Sequence, residues 1–285
     1  MRALRIIALV GFSSIAAFAL WLVLVWPPPS WYRTHWPAET AFMRMRQRQA
    51  RAAHDTTARY YVPVPIEATS SWLERSAIAG EDDAFFQHRG IDWHSMRLAL
   101  GYRRSAFAWA QKADRDELWR ALGGAWAHRE RLRGASTITQ QLAKNLYLSP
   151  SRNPLRKVKE AVIAYRIEMA LPKQRIMALY LNIAEFGPNT WGVEAASRRY
   201  FNRPAAALSM DQAALLVATL PHPLSSNPSL RPGRTRWRQQ LILRRLRGER
   251  IEVPVEEGEE KPPARDSVPA ADSLAPQPDT LRVRP

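Results

Sequence analysis

The sequence predicts a mainly α-helical domain carried behind one transmembrane helix. Three observations point there: an uncharged apolar run at residues 6–26, apolar positions recurring at helical spacing through residues 154–220, and no convincing alternation typical of strands. Composition and periodicity divide the 285 residues into a short cytoplasmic N-terminus (1–5), a transmembrane anchor (6–26), a basic juxtamembrane segment (27–60), a folded domain (61–248) and a Pro- and acid-rich tail (249–285).

The apolar run IIALVGFSSIAAFALWLVLVW is long enough to cross a bilayer, which takes about 20 residues. Its polar residues, Ser13 and Ser14, can bond back to the helix backbone. Arg2 and Arg5 precede it, so the positive-inside rule predicts a cytoplasmic N-terminus and an exported remainder. A cleaved signal peptide is the rival reading; the run is long for one, and WPPPSWYR offers no small-x-small cleavage site. Trp26, Trp31 and Tyr32 suit the membrane interface. The stretch AETAFMRMRQRQARAAH then suits either a helix lying along an anionic membrane face or a solvated stalk. Pro63 and Pro65 make YYVPVPIEATS an extended lead-in, and the folded domain is expected to begin there.

Further along, SWLERSAIAG reads as an amphipathic helix with Trp72, Leu73 and Ile78 inward. Residues 101–131 carry Trp109, Trp119 and Trp126 among basic residues, which fits a membrane-seated element or a plain helical excursion. From residue 154, Val158, Val162, Tyr165 and Met169 predict a core helix that presents Glu160 on another face. Pro172 separates it from a second helix marked by Ile176, Leu179 and Ile183. Gly187, Pro188 and Gly192 predict a turn, GVEAASRRYF another helix, and SMDQAALLVATL a central buried helix capped by Ser209 or Asp211. RTRWRQQLILRRLRGER reads as a last basic helix, and the tail beyond it as disordered.

The net charge of +16 points to a polyanionic partner: nucleic acid, anionic lipid or a phosphorylated substrate. No finger, RNP or P-loop signature supports nucleic acid, which leaves membrane and phosphorylated substrate. Zero cysteines exclude disulfides and thiolate metal sites. His94 and His128 have no partners at metal-ligand spacing, so no metal site is expected.

Two polar clusters carry the chemistry. Residues 134–160, GASTITQQLAKNLYLSPSRNPLRKVKE, crowd hydroxyls, amides and cations onto one segment and end on a carboxylate. Structure alone would explain part of this: Ser136 as a helix cap completed by Gln140, and Arg156 with Glu160 as a surface pair. Residues 81–90, EDDAFFQHRG, set two acids beside aromatics, where one could serve as a general base or merely close a helix.

Together the clusters resemble the first three motifs of the peptidoglycan glycosyltransferases. KQRIMALYLNIAEFGPNTWGVEAASRRYF (173–201) resembles the fourth motif and AALLVATLPHPLSSNP (213–228) the fifth. The likeness is strongest to monofunctional, membrane-anchored biosynthetic transglycosylases, which lack a penicillin-binding domain. It implies a lysozyme-like glycosyltransferase domain with head and jaw lobes over residues 61–248. The jaw would hold the long segment 101–131. The implied activity is polymerisation of lipid II: a polyprenyl-diphosphate-linked glycan is transferred with inversion to the 4-hydroxyl of lipid II.

By the same resemblance, Glu81 is the base and Glu160 the second carboxylate, orienting groups or stabilising the leaving side. Lys144 and Arg152 match cations near the phosphates, with Arg156 and Lys157 in the same motif. Ser136, Gln140, Gln141 and Asn145 would line the cleft. Asp82 orients Glu81 or caps the turn, while Phe85, His88 and Gly90 shape the loop. Glu168 is expected to be solvated, Glu185 to be structural, and Tyr180 and Asn182 to serve packing. No cofactor is required, and a divalent cation (Mg or Mn) would at most stimulate. The implied partners are lipid II, the growing strand, membrane lipid, and cell-wall synthase or division proteins; the implied site is the periplasmic face of the bacterial inner membrane. Two other functions stay in view: a lytic enzyme of related fold, and a catalytically silent scaffold that would have lost Glu81 or Glu160.

Overall fold

The structure, a computed structural model, describes residues 2–104, 106–127, 136–148 and 154–251. The tail from residue 252, together with Arg152 and His128, lies outside the described residues. Helix α1 spans Arg2–Val23, and its side chains from residue 9 onward are nearly all exposed. Among the described residues, no helix is long and apolar enough to cross a membrane.

The segment after α1 packs on the folded domain, which corrects the stalk reading. Helix α2 (Ala41–Ala52) is capped by Thr40, whose hydroxyl accepts from the Met43 N–H. Met43 and Tyr32 are buried in the same core as the rest of the domain. Arg46 of α2 clasps the buried Glu185 carboxylate through Nε and a terminal nitrogen at 3.0 and 2.9 Å, so Glu185 is structural, as expected. Arg175 donates to the carbonyls of Tyr32 and His35.

A small sheet, unforeseen in the sequence, joins the lead-in to the middle of the chain. Strand β1 (Tyr60–Tyr61) lies parallel to β3 (Thr190–Trp191), which pairs antiparallel with β2 (Glu185–Gly187). Strands of two or three residues are too short to show alternation, and this is why the pattern missed them.

Helices α3 (Ser71–Glu81), α4 (Trp93–Ala99), α5 (Lys112–Ala127), α6 (Ile138–Tyr147), α7 (Pro154–Ala170) and α8 (Lys173–Ile183) follow in order, then α9 (Val193–Phe201), α10 (Met210–Thr219) and α11 (Gly233–Leu246). Two packed groups meet at the centre: α3 with α10 and α11, and α6 with α2, α7 and α8. Gly80 permits the first group, because a Cβ there would stand 3.0 Å from Ile242 and 3.1 Å from Val217. The last turn of α3 is thereby pressed against α11. Within α7 the expected faces are reversed: Ile163, Ala164 and Ile167 are buried, while Val158, Tyr165 and Met169 are exposed. Ile163 and Ile167 form an apolar stripe of their own, so the spacing allowed either face. In the 101–131 segment Trp109 and Trp119 are exposed, and the side chain of Trp126 lies outside the described residues.

Gly192 joins β3 to α9 at φ +83, and a Cβ there would sit 2.5 Å from the Asn182 carbonyl oxygen. Asn182 itself exchanges hydrogen bonds with the backbone of Val64, holding the lead-in against α8. Gly192→Ala is therefore expected to lose about 3 kcal/mol from combined backbone strain and overpacking. Thermal melting would register this as a fall of roughly 6–12 °C.

Candidate active site

The close approach of α3 and α11 sets the first carboxylate. Glu81 ends α3, and its Oε1 accepts from a terminal nitrogen of the buried Arg238 at 3.0 Å. The same nitrogen donates to the Gly80 carbonyl at 2.8 Å. On the other side, Gln141 Nε2 donates to Glu81 Oε2 at 3.0 Å. Both partners are donors, so the carboxylate is held as an acceptor. The amide oxygen of Gln141 in turn accepts from the Tyr180 hydroxyl at 3.2 Å. Burial holds the Tyr180 phenol well above its usual pKa, and the negative Glu81 raises it further, so the hydroxyl keeps its proton and donates.

Tyr180, expected only to pack, thus fixes which end of Gln141 meets Glu81. The sequence reading missed Arg238, hidden among the many arginines of the last basic helix. The signal was positional: Arg238 shares a face with the buried Thr235 and Ile242.

Asp82 caps rather than orients. Its Oδ2 accepts from the Ile138 N–H, the first of α6, at 2.9 Å, and its Oδ1 pairs with His88 Nε2 at 3.0 Å. His88 Nδ1 accepts from the Gly90 N–H at 3.1 Å, and the Gly90 carbonyl accepts from Thr137 Oγ1 at 2.6 Å. The loop after Glu81 is therefore laced to the N-terminus of α6, where a negative charge also suits the helix dipole. Gly90 is required at φ +88, where a Cβ would lie 3.1 Å from the Ala164 backbone. Phe85 is fully buried beneath this loop, with the Lys173 ammonium 4.4 Å from its ring. Asp82→Asn would set an amide N–H against one of two donors. We expect a loss of about 2–3 kcal/mol, measured by chemical denaturation.

Helix α6 supplies the middle of the site. Its cap is Thr137, one residue beyond the expected Ser136, in a reciprocal capping box with Gln140. That arrangement buries Gln140 to 1% exposure, so it stands apart from the cleft it was expected to line. From Ile138 to Asn145 the helix is buried except for Gln141, Lys144 and Asn145, at spacing i, i+3, i+4. These three form one partly accessible polar stripe that starts at Glu81.

The second carboxylate closes the other side. Glu160 is 2% exposed on α7, which excludes the surface-pair reading. Arg156 donates to its Oε2 at 3.3 Å and Lys157 Nζ to its Oε1. Lys157 also donates to Ser136 Oγ at 2.7 Å, tying α7 to the approach to α6. Lys144 feels both carboxylates: desolvation lowers its pKa, Glu160 and Glu81 oppose this, and Lys157 and Arg156 reinforce it. Three cations surround one buried carboxylate, leaving local positive charge suited to an anionic ligand. Arg152, expected beside them, lies outside the described residues.

Glu168 is not solvated as expected; it accepts from Thr139 Oγ1 at 2.6 Å and from Lys173 Nζ at 2.7 Å, bracing α7 against α6 and α8. Among the described residues, no three His, Asp or Glu side chains could hold a metal ion together.

The family model described as Transglycosylase matches residues 47–247. A biosynthetic peptidoglycan transglycosylase of Bordetella pertussis is 36% identical over 250 residues, 88% of this chain and 95% of that protein. One of the same name from Azoarcus is 39% identical over 225 residues, 78% of this chain and 88% of its own. Another, from Citrobacter koseri, is 43% identical over 182 residues, covering 64% and 66% of the two chains.

Proposed function

The chain belongs to the transglycosylase family, and on that premise we propose that it polymerises lipid II into peptidoglycan glycan strands. It is a peptidoglycan glycosyltransferase, with the transglycosylase match spanning nearly the whole folded domain. The observation that carries the mechanism is the stripe on α6, which runs from a carboxylate held by two donors to a cluster of cations around a buried one.

Glu81 takes the proton from the acceptor sugar's 4-hydroxyl. That oxygen attacks the donor's anomeric carbon from the face opposite the lipid diphosphate, the bond to the diphosphate oxygen breaks, and a β-1,4 link forms with inversion. Lys144, Arg156 and Lys157 stabilise the charge that gathers on the departing diphosphate. Glu160 holds Arg156 and Lys157 in place for this task. Gln141 and Arg238 keep Glu81 directed at the acceptor, while Asn145 and Ser136 contact sugar or phosphate. A divalent cation that stimulates the reaction would arrive with the diphosphate.

The apolar run at residues 6–26 anchors the chain in the bacterial inner membrane, with Arg2 and Arg5 on the cytoplasmic side and the domain in the periplasm. Purified, detergent-solubilised protein incubated with labelled lipid II tests the function. Glycan strands on a gel are the expected product. Shortening of preformed strands without synthesis would instead establish a lytic enzyme, and lipid II binding without either reaction a scaffold.

A further inference from the structure

An open cleft of about 300 Å³ lies between α2 and the loop that leads into β1, and none of the residues proposed for catalysis lines it. Helix α2 supplies Met43, Gln47 and Arg51, spaced four apart and so on one face. Residues 55–59 form the opposite wall, and Asn189 and Trp191 close the cleft from β3 and the turn before it.

Three guanidinium groups reach this cleft, and two of them are already engaged. Arg46 is clasped to Glu185, while Arg59 donates to the Ala38 carbonyl at 3.0 Å and to Glu39 at 3.4 Å. The carboxylate in the wall, Asp55, is turned into its own loop, where it accepts from the Thr57 N–H at 2.9 Å and the Thr57 hydroxyl at 2.6 Å. Among the described residues, no side-chain hydrogen bond or ion pair engages Arg51, Gln47 or Asn189. The backbone that carries the Asn189 amide is nonetheless fixed: at φ +53 it makes the turn, and its carbonyl accepts from the Tyr60 N–H at 2.8 Å.

These unspent groups describe a ligand. A single guanidinium matches one carboxylate through a pair of parallel hydrogen bonds. A side-chain amide donates through its nitrogen and accepts through its oxygen, and peptide groups, which also do both, match it. An inorganic phosphate has no more than a proton or two to give and would leave amide oxygens unpaired. The volume is at the low end for small-molecule sites, which suits the end of a peptide rather than a folded partner. We propose that this cleft binds the free carboxylate end of a short peptide, with the carboxylate on Arg51 and the last peptide groups on Gln47 and Asn189. Two sources present that chemistry to a cell-wall enzyme: the peptide arms of the wall, which end in D-alanine, and the C-termini of proteins, which end in L-residues.

Rhodamine-labelled peptides ending in D-Ala-D-Ala or L-Ala-L-Ala, each as free acid and as amide, would be titrated with the full-length protein in detergent and followed by fluorescence anisotropy. A free acid is expected to bind roughly tenfold more tightly than its amide. Arg51→Gln should remove that tenfold and leave the amide's affinity unchanged, whereas Gln47→Ala should weaken acid and amide alike. Arg48→Gln takes the same charge from α2 outside the cleft and should change neither. Arg48 and Arg51 are both exposed, so the melting temperature of each variant should match that of the wild type. Preference for the D form would assign the wall peptide as the source, and preference for the L form a protein terminus. Equal affinities for acid and amide would overturn the proposal, because no carboxylate would then be read. Equal losses from Arg48→Gln and Arg51→Gln would overturn it too, leaving only diffuse positive charge. Binding needs no turnover, so this result stands apart from that of the strand-formation assay.

Discussion

Glu81→Gln is expected to lower the rate of strand formation by roughly 10²–10⁴-fold while leaving substrate affinity nearly unchanged. The substitution keeps the shape of the side chain and removes the carboxylate that the proposed mechanism uses as base. In the wild type, Arg238 and Gln141 each donate to one oxygen of Glu81. A glutamine can satisfy only one of them with its oxygen and turns an N–H toward the other. A stability loss of about 1–3 kcal/mol is therefore expected too, small enough for the protein to stay folded in the assay. The rival view, in which Glu81 is only an ion-pair partner for Arg238, expects the same stability loss with full turnover by the folded fraction. Steady-state kinetics beside a thermal melt separates the two.

Lys144→Met should move activity and stability in opposite directions. Removing a cation that the proposed mechanism sets against the leaving diphosphate is expected to reduce turnover by roughly 10²–10³-fold. In the protein without substrate, desolvation outweighs the pull of Glu160 and Glu81, and the pKa of Lys144 lies below its ordinary value of 10.5. The folded state therefore binds the Lys144 proton less tightly than the unfolded chain does. That penalty is fully present below the lowered value and fades as the pH rises from it toward 10.5. Methionine fills a similar volume without a charge, so a gain of about 1 kcal/mol, or roughly 2–4 °C in Tm, is expected near pH 7. The gain should shrink as the pH enters the lysine range. A variant that is both slower and less stable would mean that Lys144 serves the fold.

Much of this site was legible in the sequence because local patterns encode it. Acids beside aromatics at residues 81–90 and the polar string at 134–160 marked both carboxylates. Contacts distant in sequence left no such trace. Arg238 lies 157 positions from Glu81 and looks like any other arginine of its helix. Tyr180 reaches Gln141 across 39 positions from a helix that periodicity could only describe as core. Gln140 and Gln141 are chemically identical neighbours, yet a cap shifted by one residue buries the first and leaves the second in the site. Helix α7 was misread for a related reason: both of its faces are apolar, and the spacing does not say which one meets the core.

The central claim is a single displacement with Glu81 as base and the diphosphate leaving toward the cations. The anomeric configuration of the product tests it most directly. Donor labelled with carbon-13 at the anomeric carbon would be polymerised by the wild-type chain, and the one-bond carbon–proton coupling of the new linkage measured by NMR, alongside the polyprenyl diphosphate released. An α-linked donor should yield only β linkages, with one diphosphate freed for each bond made. Retained α linkages, or diphosphate released with free reducing sugar and no new bond, would contradict the mechanism.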